Sequence, residues 1–231
     1  MARLPRFDLA GRLHLVIQRG RDASPIFVDD DDRRRYLGAL LDSTRECAVA
    51  VHAYVLTDDE VLLLATPSAP GALACLMQAV GRRYVKAFNH RHGRSGPLWE
   101  GRYRTTVVDP DSALLTCIRL VEQAPLRRGL ASRVTDWPWS SAAHHGGQKR
   151  DAIVSEHAGY WQLGNTPFER EARHLRDSAV TLEPHTVNRL LDAAAHGWPF
   201  GPDAFLRVLA QETERPVRPR SRGRRAKTNE T

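Results

Sequence analysis

Three consecutive acidic residues near the middle of the chain have side chains that could do chemistry. Asp58, Asp59 and Glu60 follow Thr57 and precede a short apolar run. Carboxylate oxygens are the ligands that hard cations such as Mg²⁺ and Ca²⁺ prefer, so the three residues could form a cation site. Acidic and hydroxyl side chains also stabilise tight turns through local hydrogen bonds. We favour a polar turn, and the cation site stays open as the alternative.

Histidines occur in pairs at two places where a metal site could be suspected. His90 and His92 flank an arginine, and His144 is followed directly by His145. The first pair ends a basic helix pattern, which favours a solvated or phosphate-contacting surface over metal ligands. The second pair lies in a segment that we interpret as a polar linker. His52 lies inside an apolar strand pattern, so we interpret it as a strand residue and predict no metal ligand among these histidines.

Lysine and arginine are concentrated in two segments. The chain has 34 lysines and arginines against 27 acidic residues, a formal net charge of +7. Residues 82–104 contain seven Lys or Arg and one acid, and residues 215–227 contain seven and no acid. Such clusters neutralise phosphates, so we predict nucleic-acid binding, with a merely solubilising tail as the alternative for the second cluster. The side chains predicted to contact nucleic acid are Arg82, Arg83, Arg91, Arg94, Arg102, Arg104, Arg127, Arg128, Arg218, Arg220, Arg222, Arg224 and Arg225.

Hydrophobic periodicity predicts the elements that position these residues. The predicted strands cover residues 12–19, 49–56, 61–65 and 98–108. The predicted helices cover residues 33–47, 72–90 and 113–123, with shorter ones at 169–177, 183–196 and 202–212. The order strand, helix, hairpin, helix, strand, helix indicates an α+β sandwich. We expect a mostly antiparallel sheet of about four strands with flanking helices, compatible with the ferredoxin-like plan.

Composition divides the chain into three parts. Residues 1–142 form the sheet domain, residues 143–212 a linker with a small helical extension, and residues 213–231 a basic tail. The tail is rich in Arg, Pro and Gly, so we expect it to be disordered without a partner.

The cysteines and the start of the chain suggest a cytoplasmic location. Cys47, Cys75 and Cys117 are widely spaced in apolar contexts, so we expect three reduced core residues. No apolar run approaches the length of a membrane span, and the first residues lack an apolar signal core.

Six short motifs follow one another in a recognisable order. They are MARLPRFDLAGRLHLVIQRG (1–20), AYVLTDDEVLLLA (53–65), AFNHRHG (87–93), LWEGRYR (98–104), APLRRGL (124–130) and WPWSS (137–141). Together they resemble the REP-associated tyrosine transposases, a family of single-tyrosine HUH transposases, over nearly the whole chain. The resemblance implies that residues 1–142 form the HUH-fold domain. Members typically read AYxLMPNHxHLLV where this chain reads AYVLTDDEVLLLA.

The resemblance also implies a chemistry from which this chain departs. In the family, two hairpin histidines hold Mg²⁺ or Mn²⁺, and a tyrosine on the third helix attacks the scissile phosphate. The positions that match the histidines are Glu60 and Leu62, and the position that matches the tyrosine is Ala113. Tyr103 is the outside candidate for a substitute nucleophile, but we favour a packing or DNA-backbone role. We therefore expect neither catalytic residues nor a metal cofactor.

The sequence thus predicts a catalytically degenerate relative of these transposases that binds DNA without cleaving it. The resemblance implies single-stranded DNA or a hairpin-forming repeat as the partner, in a bacterial cytoplasm and at the nucleoid when bound. One alternative is an active nickase with a rebuilt site. Another is a protein-interaction module whose basic tail alone contacts nucleic acid. The target sequence, and the choice between monomer and homodimer, stay open.

Overall fold

The computed structural model describes residues 6–219. The strands are β1 (Leu13–Arg19), β2 (Val49–Leu56), β3 (Glu60–Pro67) and β4 (Arg104–Val108). The helices of the sheet domain are α1 (Asp30–Glu46), α2 (Ala72–Arg91), α3 (Pro110–Glu122) and α4 (Ala124–Arg127). The later helices are α5 (Ala142–His145), α6 (Pro167–Ser178), α7 (Pro184–His196) and α8 (Asp203–Glu212). Single 3₁₀ segments cover Arg21–Ala23, Val134–Asp136 and Ala158–Leu163.

The four strands form one antiparallel sheet in the order β2-β3-β1-β4. The α+β class with a four-stranded antiparallel sheet and flanking helices is confirmed, while the ferredoxin-like plan stays a prediction. The strand predicted for residues 98–108 is wrong in its first half, because β4 begins only at Arg104. Leu98 is buried and Trp99 packs beside it against the aromatic side chains of α1 and α2, so this segment fills a core. Its backbone pairs with the end of β1 through an isolated bridge between Trp99 and Gly20 and does not form a regular strand.

Alternation along the strands sends side chains to both faces of the sheet. Val16 and Leu63 lie in the apolar cluster under α1 and α2. Leu15, Ile17 and Leu62 lie in the opposite cluster, which α3 and α7 cover. Helices therefore cover both faces, which explains why strands β1 and β3 are almost continuously apolar.

The segment after residue 142 is part of this packing. We expected a polar linker over residues 143–150, but Ala143, His144 and His145 are buried and helical. The linker interpretation is wrong at these residues because the ring of His145 lies against a buried carboxylate, that of Glu122. Further along, Tyr160 and Leu190 join the apolar cluster under α3.

Two of the three cysteines are not reduced. Cys47, at the end of α1, and Cys75, on α2, form a disulfide, so that prediction is wrong for this pair. The packing of α1 on α2 brings together residues that are 28 positions apart, which spacing alone did not show. Cys117 is free and buried as expected, and burial raises the pKa of its thiol to about 12.

Two buried histidines on the sheet predict that acid destabilises the fold. Burial lowers the pKa of His14 and of His52 to about 4. Between pH 6.5 and 4 the unfolded chain therefore binds more protons than the folded chain, so the free energy of unfolding falls as the pH falls. Each histidine should contribute about 3 kcal/mol to this loss, which denaturant unfolding at several pH values measures.

A variant at His14 isolates the effect of one group. Its Nδ1 lies 2.6 Å from the carbonyl of Arg12, and its Nε2 is buried without a partner in the described chain, so protonation would add an unsatisfied N–H. His14→Gln should lose less stability than the natural sequence between pH 7 and pH 4.5. His185→Gln changes an exposed histidine and should keep the natural pH dependence. Equal slopes for all three proteins would contradict this assignment.

Candidate functional site

The positions that match a catalytic centre lie on the face covered by α3. Leu62 on β3 and Ala113 in the first turn of α3 are both buried in the apolar cluster there. Glu60 lies two residues before Leu62 and so belongs to the same face of the strand. Its carboxylate accepts hydrogen bonds from Arg19 Nε at 2.6 Å and from Arg128 Nη2 at 3.0 Å. Leu62 offers no ligand atom and both Glu60 oxygens are occupied, so these residues do not fit the Mg²⁺ or Mn²⁺ of the family.

The other two carboxylates of the hairpin also have arginine partners. Asp58 pairs with Arg33 and Asp59 pairs with Arg128. The turn is held further by its backbone, because the carbonyl of Asp59 accepts a hydrogen bond from the N–H of Gly20. These contacts favour the polar turn over the cation site.

Tyr103 is packed, with its ring 4.0 Å from the guanidinium of Arg6. Arg6 Nε also donates to the Tyr103 carbonyl at 3.0 Å. Burial raises the pKa of the Tyr103 phenol, which disfavours the ionised form that attacks a phosphate. The environment therefore favours a packing or contact role over a nucleophilic one.

A cleft of about 770 Å³ opens between α2 and residues 99–103. We call it the basic cleft. Its apolar lining includes Met77, Val80, Val85, Trp99 and Tyr103, and its polar lining includes Arg6, Gln18, Arg82, Lys86 and Arg102. Arg82, Lys86 and Arg102 are exposed, and none of them pairs with a carboxylate within residues 6–219. The basic cleft thus combines apolar walls with cations that can accept an anion.

Two smaller cavities adjoin the basic cleft at Arg102. One of about 210 Å³ also borders Arg19 and Arg104, and one of about 140 Å³ also borders Arg104 and Arg215. All three cavities share the Arg102 side chain. Together their linings reach from α2 to the end of α7.

A second polar cluster is buried on the other side of the sheet. Glu122 on α3 contacts His145 Nδ1 at 2.6 Å and His174 Nε2 at 2.8 Å. Ser141 Oγ donates to the same carboxylate at 2.6 Å. Burial alone would raise the pKa of Glu122, but the two imidazoles and their hydrogen bonds hold it well below its usual range. We call Glu122, His145 and His174 the buried triad.

Comparison with known proteins identifies the fold. No protein-family model and no curated protein sequence matches the chain. A solved REP-associated tyrosine transposase bound to a REP hairpin matches 68% of this chain and 93% of its own, with 14% identity and a TM-score of 0.54. This chain has the fold of a REP-associated tyrosine transposase. A structure from Deinococcus radiodurans R1, provisionally named a transposase, matches 57% of this chain and 100% of its own with 22% identity, but its TM-score of 0.36 carries no argument.

Several of the arginines predicted to contact DNA have protein partners within this transposase fold. Arg83 donates to Glu46 at 2.6 Å, and Arg104 to Glu100 at 3.0 Å. Arg128 belongs to the hairpin ion pairs described above. Such arginines can contact a phosphate only at the expense of an existing ion pair.

The remaining arginines of the predicted set have varied surroundings. Arg127 donates to the carbonyl of Leu120 at 2.6 Å, Arg94 lies 5.6 Å from the ring of Phe88, and Arg218 pairs with Asp203. The predicted contacts Arg220, Arg222, Arg224 and Arg225 lie outside the described residues. Arg82 and Arg102 are the members of the set that line the basic cleft without a carboxylate partner among residues 6–219.

The histidine–arginine–histidine segment contacts the start of α1. Arg91 donates to Asp29 at 2.6 Å and to Asp32 at 2.7 Å, and His92 Nε2 lies 2.9 Å from Asp32. The Asp32 side chain is buried, so this segment forms an interhelical ion-pair cluster, while His90 and Arg91 themselves are exposed to solvent. The acidic start of α1, which favours helix formation, also attracts these cations.

Sequence reasoning missed the buried triad. The one available signal was an acid, Glu122, inside the apolar run of α3, since a buried carboxylate needs partners. The partners lie 23 and 52 residues further along the chain, in the expected linker and in α6. Lys86 and Gln18, which line the basic cleft, were also missing from the predicted set.

Proposed function

We propose that this chain binds DNA through the basic cleft and does not cleave it. The observation that carries the proposal is the combination, in one cleft of a transposase fold, of apolar walls with Arg82, Lys86 and Arg102, which have no carboxylate partner among residues 6–219. The solved neighbour with this fold is bound to a REP hairpin, which supports a hairpin or single-stranded DNA as the ligand.

The charged and the apolar lining residues of the basic cleft would contact different parts of the DNA. Arg82, Lys86 and Arg102 are placed to neutralise phosphates along the rim. An unstacked base could enter between Met77 and Trp99, because every base offers an aromatic face to an apolar wall. Single strands and hairpin loops expose such bases, whereas duplex DNA keeps them stacked. This arrangement therefore favours a ligand with unpaired nucleotides.

The proposal that the chain does not cleave DNA rests on the residues at the sheet face that α3 covers. Leu62 and Ala113 fill the matching catalytic positions with apolar side chains. The runner-up, an active nickase, would need a nucleophile elsewhere. The buried, raised-pKa phenol of Tyr103 is poorly suited to that role.

A charge-neutralising triple variant tests the binding surface. Neutralisation of about six phosphates by the full chain would give a log–log salt slope of roughly −4 on single strands. In Arg82→Gln/Lys86→Gln/Arg102→Gln the slope should fall to about −2, since three contacts are lost. The dissociation constant for a labelled DNA hairpin with a single-stranded flank should rise at least tenfold, as measured by fluorescence anisotropy.

Arg83→Gln is the matched control for this experiment. Arg83 follows Arg82 on α2 but donates to Glu46 and Ser43 instead of lining the basic cleft. It should bind the hairpin as tightly as the natural sequence. Unchanged binding by the triple variant would contradict the proposal and support the alternative in which the basic tail alone contacts nucleic acid.

A further inference from the structure

Three helices that are far apart in sequence converge on the buried triad. Glu122 lies at the end of α3, His145 at the end of α5 and His174 in the middle of α6. Their side chains are 0%, 1% and 3% exposed. One ligand atom from each lies within 4.8 Å of the others, and in the described part of the chain no other group of three histidine, cysteine or acidic residues does so.

We propose that the buried triad binds one Zn²⁺ ion, or a divalent ion of similar preference, in a structural site. Two imidazole nitrogens and one carboxylate oxygen are a donor set that Zn²⁺ uses, usually with tetrahedral geometry. The hydroxyl of Ser141, which already contacts Glu122, or a water molecule would complete the coordination. This site is separate from the hairpin positions and from the basic cleft.

The present distances require only a small adjustment for metal binding. The carboxylate–imidazole contacts of 2.6 and 2.8 Å are hydrogen bonds. Ligand atoms around tetrahedral Zn²⁺ lie about 3.3 Å apart, so the two contacts would lengthen by about 0.7 and 0.5 Å. A neutral imidazole would carry its proton on the other ring nitrogen, and a charged one would release a proton to solvent.

The surroundings hold the ligands in place. Tyr160 donates its hydroxyl to the His145 carbonyl at 3.2 Å, and Ser178 Oγ lies 3.3 Å from His174 Nε2. The rings of His145 and His174 lie 5.1 Å apart. The Tyr160 bond fixes the backbone that carries His145, whereas Ser178 contacts the same Nε2 that would bind the metal and would have to release it. Because the site is enclosed and joins α6 to α3, its effect would be to fix the helical extension on the sheet domain.

The test begins with the full, untagged chain after removal of metals by EDTA. Native mass spectrometry should show one Zn²⁺ per chain after titration, and Co²⁺ should give the visible absorption of a tetrahedral site. At a hundredfold excess of free Zn²⁺ over its Kd, Tm should rise by about 5–10 °C.

Variants test whether the metal binds at the buried triad or at other histidines. His174→Gln and Glu122→Gln should each weaken binding beyond the roughly 10- to 100-fold that loss of an outer partner costs. His14→Gln, a change at another buried histidine, should keep the natural stoichiometry. Absence of stoichiometric metal on the natural sequence, or binding unchanged in His174→Gln, would overturn the proposal. The natural sequence decides this even if a variant fails to fold.

Discussion

Glu122→Ala should lower the free energy of unfolding by about 3–5 kcal/mol, the cost of breaking a buried charge pair. The variant leaves His145, His174 and Ser141 without the carboxylate that they contact now. Ser141 Oγ keeps the Tyr54 carbonyl as an acceptor at 3.4 Å, but each imidazole would lose the carboxylate that it contacts, and buried polar groups without a partner are expensive. Denaturant unfolding in the presence of EDTA measures the loss without any contribution from bound metal.

Glu46→Ala is the contrasting control. Glu46 also pairs with a cation, Arg83, but both side chains are largely exposed, and exposed ion pairs contribute little. The free energy of unfolding of Glu46→Ala should stay close to that of the natural sequence. A loss of less than about 1 kcal/mol in Glu122→Ala would show that the buried triad is not a stabilising cluster.

The contribution of Glu122 to the free energy of unfolding should decrease in acid. Glu122 has a folded-state pKa below its usual value of 4.5, so its contribution is present above pH 4.5 and is lost as the pH falls further. The difference in stability between the natural sequence and Glu122→Ala should therefore narrow below pH 4.5.

Local patterns in the sequence were sufficient to predict most of the helices and strands. The strand predicted for residues 49–56 has the bounds of β2, and the helix predicted for residues 72–90 differs from α2 by one residue. Period-two alternation and helical periodicity are local signals, and here the tertiary structure agrees with them. The pattern fails at residues 98–103, where Trp99 packs sideways into an aromatic cluster that no local signal describes.

The functional site was harder to predict from the sequence, because the tertiary structure determines which acid pairs with which arginine. Arg82 and Arg83 are identical neighbours on α2, yet one lines the basic cleft and the other is held by α1. The helical repeat places the two side chains in different directions, which the sequence does show. The acid that pairs with Arg83 belongs to another helix, which the sequence does not show. The buried triad depends in the same way on helices that are brought together only in the folded chain.

We expect no covalent protein–DNA adduct from the natural sequence. The reaction needs a hydroxyl in line with a phosphate whose charge a metal offsets. At the matching positions Ala113 has no hydroxyl and Leu62 has no ligand atom, and Glu60 is bound by two arginines. Labelled hairpin DNA incubated with the protein and Mn²⁺ should run unshifted on a denaturing gel. A REP-associated transposase with its histidines and tyrosine intact provides the positive control.

Restoring the family residues should not restore the reaction. Parts of a catalytic centre act as a unit, so Ala113→Tyr alone should be inactive. Glu60→His/Leu62→His/Ala113→Tyr supplies every part, but Leu62 and Ala113 are 1% and 3% exposed within a packed cluster. A phenol at Ala113 would overpack this core at a cost of about 1–3 kcal/mol, and imidazole at Leu62 would be buried without a partner. We therefore expect a less stable protein, by thermal unfolding, and no adduct.

A slow-migrating, protease-sensitive band with the natural sequence would overturn the inactive interpretation. The linked residue could then be mapped by mass spectrometry, and Tyr103 is the first position to inspect. Tyr103→Phe would abolish the band if that phenol were the nucleophile. The same change should leave hairpin binding nearly intact, because the ring that lines the basic cleft and contacts Arg6 is kept. Loss of the adduct with binding retained would separate a chemical role of Tyr103 from a packing role.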